Sequence, residues 1–490
     1  MKDPGRILIA GAGPTGLGAA WRLHELGCDD FVVLEAAGGP GGLASSFRDE
    51  QGFTWDVGGH VQFSHYAYYD DVLDRAVTCG WLEHERESWV WIKGRWVPYP
   101  FQNNIHRLPE EDCRRALHDL ERAAAARAIA GRKGGAGDPL AQAPRDGKPA
   151  HFREWIETTF GAGIADVFLY PYNLKVWGYP LDRLSASWMG ERVAVPDVER
   201  IKRNIRENRD DVSWGPNNRF RFPLHGGTGE IWRSVAGLLP EERLRFGSRV
   251  ASIDLDASTV RLDGGERLRF DRLISSMPLD LLCERCEGGD AAAARRAAAG
   301  LVHSSVHILG VGLRGERPET LRKKCWMYFP ESHSPYYRVT VFSNYSPHNA
   351  PEGEGYWSLM AEVCESPHRP VDASSVARET VRGLVAAGLV ESERQVTHTW
   401  TCRVEHGYPT PTRDRDEILL ELLPSLAKRG IWSRGRFGAW RYEVANMDHS
   451  YMQGVEVVQH LLHGSPELTV WEPGLVNRPH PALGWERASY

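Results

Sequence analysis

The chain opens on a pattern that few folds accommodate. Ile7-Leu8-Ile9-Ala10 is a short apolar run that enters Gly11-Ala12-Gly13-Pro14-Thr15-Gly16, a G-x-G-x-x-G turn. Leu17 to Leu23 is helix-prone, and a second apolar run, Phe31-Val32-Val33-Leu34, ends on Glu35. Strand, glycine turn, helix, strand and acid form a dinucleotide-binding unit. In that unit Gly11 permits the tight turn, Gly13 lets a pyrophosphate approach the backbone, and Gly16 lets helix and strand pack closely. The helix N-terminus offers free N–H groups and partial positive charge to the phosphates. Glu35 is placed to accept hydrogen bonds from a ribose diol. The alternative, an ordinary glycine turn of an α/β domain, does not require all the flanking parts together.

A second glycine turn, Gly38-Gly39-Pro40-Gly41-Gly42-Leu43, follows the acid, and Asp56-Val57-Gly58-Gly59-His60 comes next. Backbone able to pass close to a large planar cofactor is a trait of flavoenzymes of the amine-oxidase and glutathione-reductase type. The expected resident dinucleotide is therefore FAD, with nicotinamide the weaker option.

Bulk properties exclude several classes. The chain has 490 residues, 42% hydrophobic and 25% charged, enough for two or three domains. A net charge of −6 gives no basic field for nucleic acid or an anionic membrane. No apolar run approaches the roughly 20 residues that span a bilayer. The first strand begins almost at once and leaves no space for a signal peptide, so a soluble cytoplasmic protein is expected. The eight cysteines form no framework. Cys283 and Cys286 lack the second pair that a zinc site needs and read as one-turn neighbours on a helix after Pro278. No metal is expected.

In chain order, residues 1–77 read as the first segment of a Rossmann-type FAD-binding domain, its loop after His60 dense in Phe63, Tyr66, Tyr68 and Tyr69. Residues 78–105 carry a β-hairpin, Trp89–Ile92 and Arg95–Val97 around Lys93-Gly94, then the proline-rich Pro98–Asn104. Residues 106–205 read as a helical insertion domain. One of its helices carries Phe152, Trp155, Ile156 and Phe160 and is expected to stop at Gly161. Residues 206–300, with a strand from Val250, return to the FAD-binding domain. Residues 301–430 hold strands joined by short connections, a largely antiparallel β-sheet domain with Trp326, Tyr328, Arg338 and Tyr345 or their neighbours facing inward. Residues 431–475 return to the flavin through Gly435–Asn446, and Asp448 is the expected N-cap of the last helix. Residues 476–490 are a tail. The fold class is thus α/β, with a helical insertion and an antiparallel sheet.

These stretches in one order are shared with a known family. Gly58–Val61 with Phe63–Tyr66, Trp96–Asn104, Pro171–Trp177, Gly190–Ala194, Trp214–Asn217, Cys325–Pro330, Tyr337–Pro347, His406–Pro411 and Trp432–Val444 together make the chain resemble the UDP-galactopyranose mutases. The longer branch, known from fungi and protozoan parasites, is the most similar. The resemblance implies redox-neutral interconversion of UDP-galactopyranose and UDP-galactofuranose on reduced FAD. In that family the reduced flavin N5 attacks the anomeric carbon, UDP leaves, an iminium form opens the ring, and the 4-hydroxyl closes the furanose. Carried over residue by residue, His60, Arg192 and Arg338 are the catalytic expectations. Gly11, Gly13, Gly16, Glu35, Gly41, Gly42, Leu43, Gly58, Gly59, His60, Val250, Gly435, Arg436, Asn446, Met447 and Ser450 would surround FAD. Arg192, Arg338, Tyr328, Tyr408, Tyr442 and Asn217 would bind the substrate pyrophosphate. Tyr99, Phe101 and Gln102 would hold the uracil, Asn173 and Trp177 the nucleotide and its ribose. Phe63, Trp326 and Tyr345 would complete the substrate pocket. His65, His225 and His406 read as structural.

Departures limit the transfer. The chain reaches Trp357 soon after Ser346-Pro347, where the fungal proteins carry an insertion, and Met447 stands where that branch has Gln. Its tetramer is therefore not carried over, although a homo-oligomer remains an expectation. NADPH or NADH is the candidate reductant. The alternatives are a pyranose/furanose mutase for another UDP- or GDP-sugar, and an amine-oxidase-class flavin oxidase.

Overall fold

The structure is a computed structural model and describes residues 5–133, 149–189, 193, 195–212 and 218–477. The chain begins with β1 (Ile7–Ala10), α1 (Pro14–Glu25) and β2 (Phe31–Leu34). All four β1 residues are buried, as a strand covered on both faces requires. Pro14 sits at the start of α1, where its missing N–H costs nothing, and no side chain caps the first turn.

A hairpin follows, β3 (Glu87–Ile92) and β4 (Arg95–Pro98). Its turn residues Lys93 and Gly94 have φ of 50° and 70°, matching the twist of paired strands. Next come α2 (Glu110–Lys133), α3 (Phe152–Ile164) and α4 (Tyr170–Trp177). The expected stop at Gly161 is corrected. Gly161 has φ 74° and ψ 164°, yet helical structure resumes after the kink. The break is a close backbone approach, since a Cβ there would lie 2.4 Å from Asp119 O.

Later strands that matter for the site are β5 (Leu244–Arg245), β6 (Val250–Asp254), β7 (Arg272–Ser275), β8 (Val302–Arg314), β9 (Lys324–Tyr328), β10 (Arg338–Thr340), β11 (Tyr356–Glu365), β12 (Val396–Thr410) and β13 (Ile431–Ser433), before helix α5 (Met447–His463). One sheet has the order β13-β7-β1-β2-β5 and is parallel throughout. The larger has the order β12-β8-β11-β10-β9-β3-β4. Its ladders are antiparallel except β9–β3, which is parallel. The early hairpin docks beside β9 across more than two hundred residues, so no turn dictates its direction.

Helix α5 crosses α1 with backbones touching. A Cβ on Gly18 would lie 2.3 Å from Tyr451 O, and one on Gly454 2.0 Å from Thr15 O. This crossing brings the C-terminal return to the glycine turn, where Gly435 N donates to Gln453 Oε1 at 2.6 Å. The N-cap of α5 is Asn446, not Asp448. Asp448 instead lies fully buried at the second position of the helix, accepting from His65 N at 3.0 Å and pairing with His65 Nδ1 at 2.6 Å. Cys283 lies in the helix Leu279–Arg285, but Cys286 is its C-cap and starts a short strand. Burial pushes both thiols up to about 12. Among the described residues, no helix is long and apolar enough to cross a membrane.

Candidate active site

The two glycine turns lie against each other. Gly41 N donates to Ala12 O at 2.9 Å. The three glycines of the first turn differ in what demands them. A Cβ on Gly11 would meet Ser276 Oγ at 2.2 Å, and one on Gly16 would overlap Gly11 O at 1.8 Å. One on Gly13 meets nothing nearer than Gly41 O at 3.8 Å. Protein packing explains Gly11 and Gly16, whereas Gly13 leaves bare backbone beside the uncapped first turn of α1. That cradle fits a dinucleotide pyrophosphate. Glu35 accepts from Ala12 N and Ala37 N, both at 2.7 Å, which leaves lone pairs for a ribose. Ser248 N donates to Glu35 O at 2.7 Å, bringing the segment that leads into Val250 to the same edge.

Gly13→Ala is therefore expected to fold normally and bind its flavin at least about 100-fold more weakly, because the methyl takes the pyrophosphate's space. Gly16→Ala should lose about 3 kcal/mol of stability through overpacking. Visible absorbance of the purified variants and their thermal melts separate the two outcomes.

At the other end, the loop Gly58–His60 meets the large sheet. Glu362 of β11 lies at its centre and is 2% exposed. Arg338 donates to it twice, Nε to Oε1 at 2.7 Å and Nη2 to Oε2 at 2.8 Å. Tyr337 OH donates to Oε2 at 2.7 Å and Gly59 N to Oε1 at 3.1 Å. These four bonds saturate the carboxylate. Burial alone would raise the Glu362 pKa, but Arg338 and these donors hold it below its ordinary value. Beside it, enclosure by protein pushes His60 down to about 4, with Glu362 opposing and Arg436 and Arg338 adding to the fall. The imidazole is neutral at pH 7.

Several buried polar atoms here have no protein partner: His60 Nδ1, Trp326 Nε1, Thr340 Oγ1 and Tyr345 OH. The Trp326 and Thr340 atoms cluster at Gly59, where a Cβ would lie 3.1 and 2.6 Å from them. Unpaired groups around a glycine loop suit a polar, planar ligand such as a flavin ring.

An aromatic and cationic wall continues from this point. Tyr328 packs 5.4 Å from Tyr99 and 5.5 Å from Tyr172. Trp177 lies 5.9 Å from Tyr408 and 4.8 Å from Tyr442. The Arg436 guanidinium stands 5.0 Å over Tyr408 and 5.8 Å over Tyr442. Arg338 and Arg86 flank Trp326 at 5.3 and 5.6 Å. Tyr337 OH reaches Tyr408 OH at 3.3 Å, joining the wall to Glu362.

The other expected site residues are distributed around this frame. Phe63 stands edge-on to His65 at 4.8 Å. Gln102 is buried, and Asn173 is half-buried with Nδ2 on Leu169 O at 2.8 Å. Phe101 is fully buried, stacked 4.4 Å on Phe168, and Tyr345 is fully buried among Phe220, Phe222 and Phe342. Gly42 and Leu43 belong to the short helical turn Gly42–Ala44, a Cβ on Gly435 would lie 2.2 Å from Thr15 Oγ1 of α1, and Asn446, Met447 and Ser450 form the N-cap and first turn of α5. Arg192 and Asn217 lie outside the described residues.

Glu362, Tyr337 and Arg86 escaped the sequence reading. Glu362 did leave a trace: it is an acid inside Trp357-Ser358-Leu359-Met360-Ala361-Glu362-Val363-Cys364, an otherwise uncharged stretch of β11. A charge in such a strand is kept only with a partner.

The sequence profile described as flavin containing amine oxidoreductase matches residues 14–461. A crystal structure of reduced UDP-galactopyranose mutase is similar at 49% identity, with a TM-score of 0.90, covering 96% of this chain and 97% of that one. A CLA-producing fatty acid isomerase from P. acnes shares the fold at 15% identity and a TM-score of 0.64, covering 94% of this chain and 100% of that one. Wild-type putrescine oxidase bound to putrescine does so at 16% identity and 0.62, covering 94% and 99%. With a flavin-type glycine cradle at one end, a guanidinium–phenol wall at the other and 49% identity to one mutase along nearly the whole of both chains, the chain is a flavin-dependent isomerase that belongs to the flavin-containing amine oxidoreductases and, within them, to the UDP-galactopyranose mutases.

Proposed function

We propose that this protein interconverts UDP-galactopyranose and UDP-galactofuranose with no net redox change. The observation that carries the reading is 49% identity to a UDP-galactopyranose mutase along nearly the whole of both chains. The site chemistry supports it. When bound and reduced, FAD supplies a nucleophilic nitrogen for the anomeric carbon.

The chain's own residues hold and orient both nucleotides. Gly13, Gly41, Gly42 and the start of α1 take the FAD pyrophosphate, and Glu35 its ribose. Arg338, with Tyr328, Tyr408 and Tyr442, takes the departing UDP phosphates, because planar guanidinium suits an oxyanion and phenols donate without adding charge, and Arg436 and Asn446 contact the flavin or the sugar. Arg192 and Asn217 belong to the same phosphate set by their family positions. Tyr99, Phe101 and Gln102 hold the uracil, and Asn173 and Trp177 the ribose. His60, kept neutral by burial, can accept or donate a proton at Nδ1 beside the flavin. Phe63, Trp326 and Tyr345 exclude water from the sugar.

Protein reduced with dithionite, NADPH or NADH is expected to convert UDP-galactofuranose to UDP-galactopyranose, read by chromatography. If no ring-size isomer forms from this pair, the substrate assignment fails. Conversion of another UDP- or GDP-sugar would reassign the sugar. Sustained oxygen consumption with an amine and no isomer would make the protein an oxidase.

A further inference from the structure

Helix α4 carries Asn173 and Trp177, and between them in sequence lies Lys175, a cation that the site chemistry does not use. Lys175 is 5% exposed. Its Nζ donates to Glu331 O and Ser334 O, both at 2.9 Å, and lies 3.4 Å from Ser334 Oγ. The Tyr336 ring is 6.0 Å away, and among the described residues no carboxylate pairs with it within 4.0 Å. These partners all belong to one connection, the segment from Phe329 to Tyr337 that joins β9 to β10. That segment begins just after Tyr328 and ends just before Arg338. A second cation grips it nearby, since Arg369 Nη2 donates to Pro335 O at 2.6 Å.

We propose that Lys175 is a positioning residue for nucleotide-sugar binding, its ammonium clamping the β9–β10 connection to α4. The clamp fixes Tyr328 and Arg338, at the two ends of that connection, against Asn173 and Trp177. This rests on the mutase reading and deepens it. Three carbonyl and hydroxyl partners for one ammonium make charge-assisted bonds about twice as strong as neutral ones. Lys175 lines the wall of an 830 Å³ cleft behind α4, which gives it a path for proton exchange.

Burial first, then Arg369, pushes the Lys175 pKa down to about 7, with Glu331 opposing. His333 and His368 also line the cleft, and across it stand the pairs Lys93–Asp112 and Arg115–Asp166. Below pH 7 the ammonium is whole. Above it the neutral amine keeps two N–H groups and loses the charge, so the clamp weakens as pH rises. Arginine at this position stays charged throughout and separates lysine from the two histidines.

The test uses the FAD-loaded protein and UDP as probe, with dissociation constants measured from pH 6 to 9. Wild type should weaken about fivefold across that range, and K175R should lose the slope. K175M should bind UDP about tenfold more weakly at pH 6, with KM for the nucleotide sugar raised in proportion and kcat within about twofold. Unchanged UDP binding in K175M, or a wild-type pH slope in K175R, overturns the proposal. If K175M does not retain FAD, the K175R slope alone decides. Wild type that binds no UDP at any pH overturns the mutase reading itself, and this proposal with it.

Discussion

Replacing Arg338 by alanine should lower kcat/KM about 1,000-fold while FAD stays bound. Two losses combine. In the proposed reaction the guanidinium no longer meets the substrate phosphates, and removing one such donor from a developing charge costs about 10²–10³ in rate. The truncation also strands Glu362, whose 2%-exposed carboxylate loses two of its four hydrogen bonds. An uncompensated buried charge costs about 3–5 kcal/mol, limited by the ability of the group to take up a proton.

That escape makes the variant's stability depend on pH with a reversed sign. In the wild type, Arg338 depresses the Glu362 pKa, so the pair contributes stability above the unfolded carboxylate pKa and loses it as pH falls. In Arg338→Ala, only the Tyr337 and Gly59 bonds oppose burial, which raises that pKa. The contribution is then present at acid pH and lost as pH rises through the raised value. Melting curves between pH 5 and 8 should show the variant losing stability toward pH 8 relative to wild type. A parallel pair of curves, or turnover near normal, would remove Arg338 from its assigned role.

Glu362→Gln tests the other partner without changing shape. Four donors converge on the carboxylate, from Arg338, Tyr337 and Gly59. An amide presents one oxygen to them and turns its NH₂ toward the Arg338 fork. The expected result is a fall in kcat of about 100-fold, since misplacement of about 1 Å near a reacting centre costs that much. UDP affinity should change by less than about threefold, because the guanidinium survives and one nearby negative charge is gone. The double variant Glu362→Gln/Arg338→Ala should be far less impaired than the product of the two, as expected for groups acting as a unit. Independent, multiplicative effects would mean that Glu362 does not act through Arg338.

The aromatic residues around these two share an organisation. Tyr337 bridges Glu362 to Tyr408, Arg436 stacks on Tyr408 and Tyr442, and Trp177 closes the far side from α4. Phenol and guanidinium thus alternate along a surface anchored in three parts of the chain.

What was legible in the sequence was local or periodic. The run from Ile7 to Glu35 specifies strand, turn, helix and strand within 29 residues, because its apolar runs, glycine spacing and closing acid form one contiguous pattern. The Lys93-Gly94 hairpin was readable for the same reason, as were the long buried strands β8 and β11, whose apolar text admits little else. The tertiary structure decided whatever depends on distant partners. The parallel β9–β3 ladder joins segments more than two hundred residues apart. Asp448 leaves the helix cap to Asn446 because His65, 383 positions away, offers it a buried partner. Glu362 becomes the centre of the site only when Gly59, 303 positions away, and Arg338 close on it. A carboxylate in an apolar strand announces that a partner must exist, since burying it alone is too costly. Which partner it finds is set by the register that places Arg338 of β10 opposite Glu362 of β11 and by the docking of the Gly58–His60 loop on that sheet, and no local pattern encodes that.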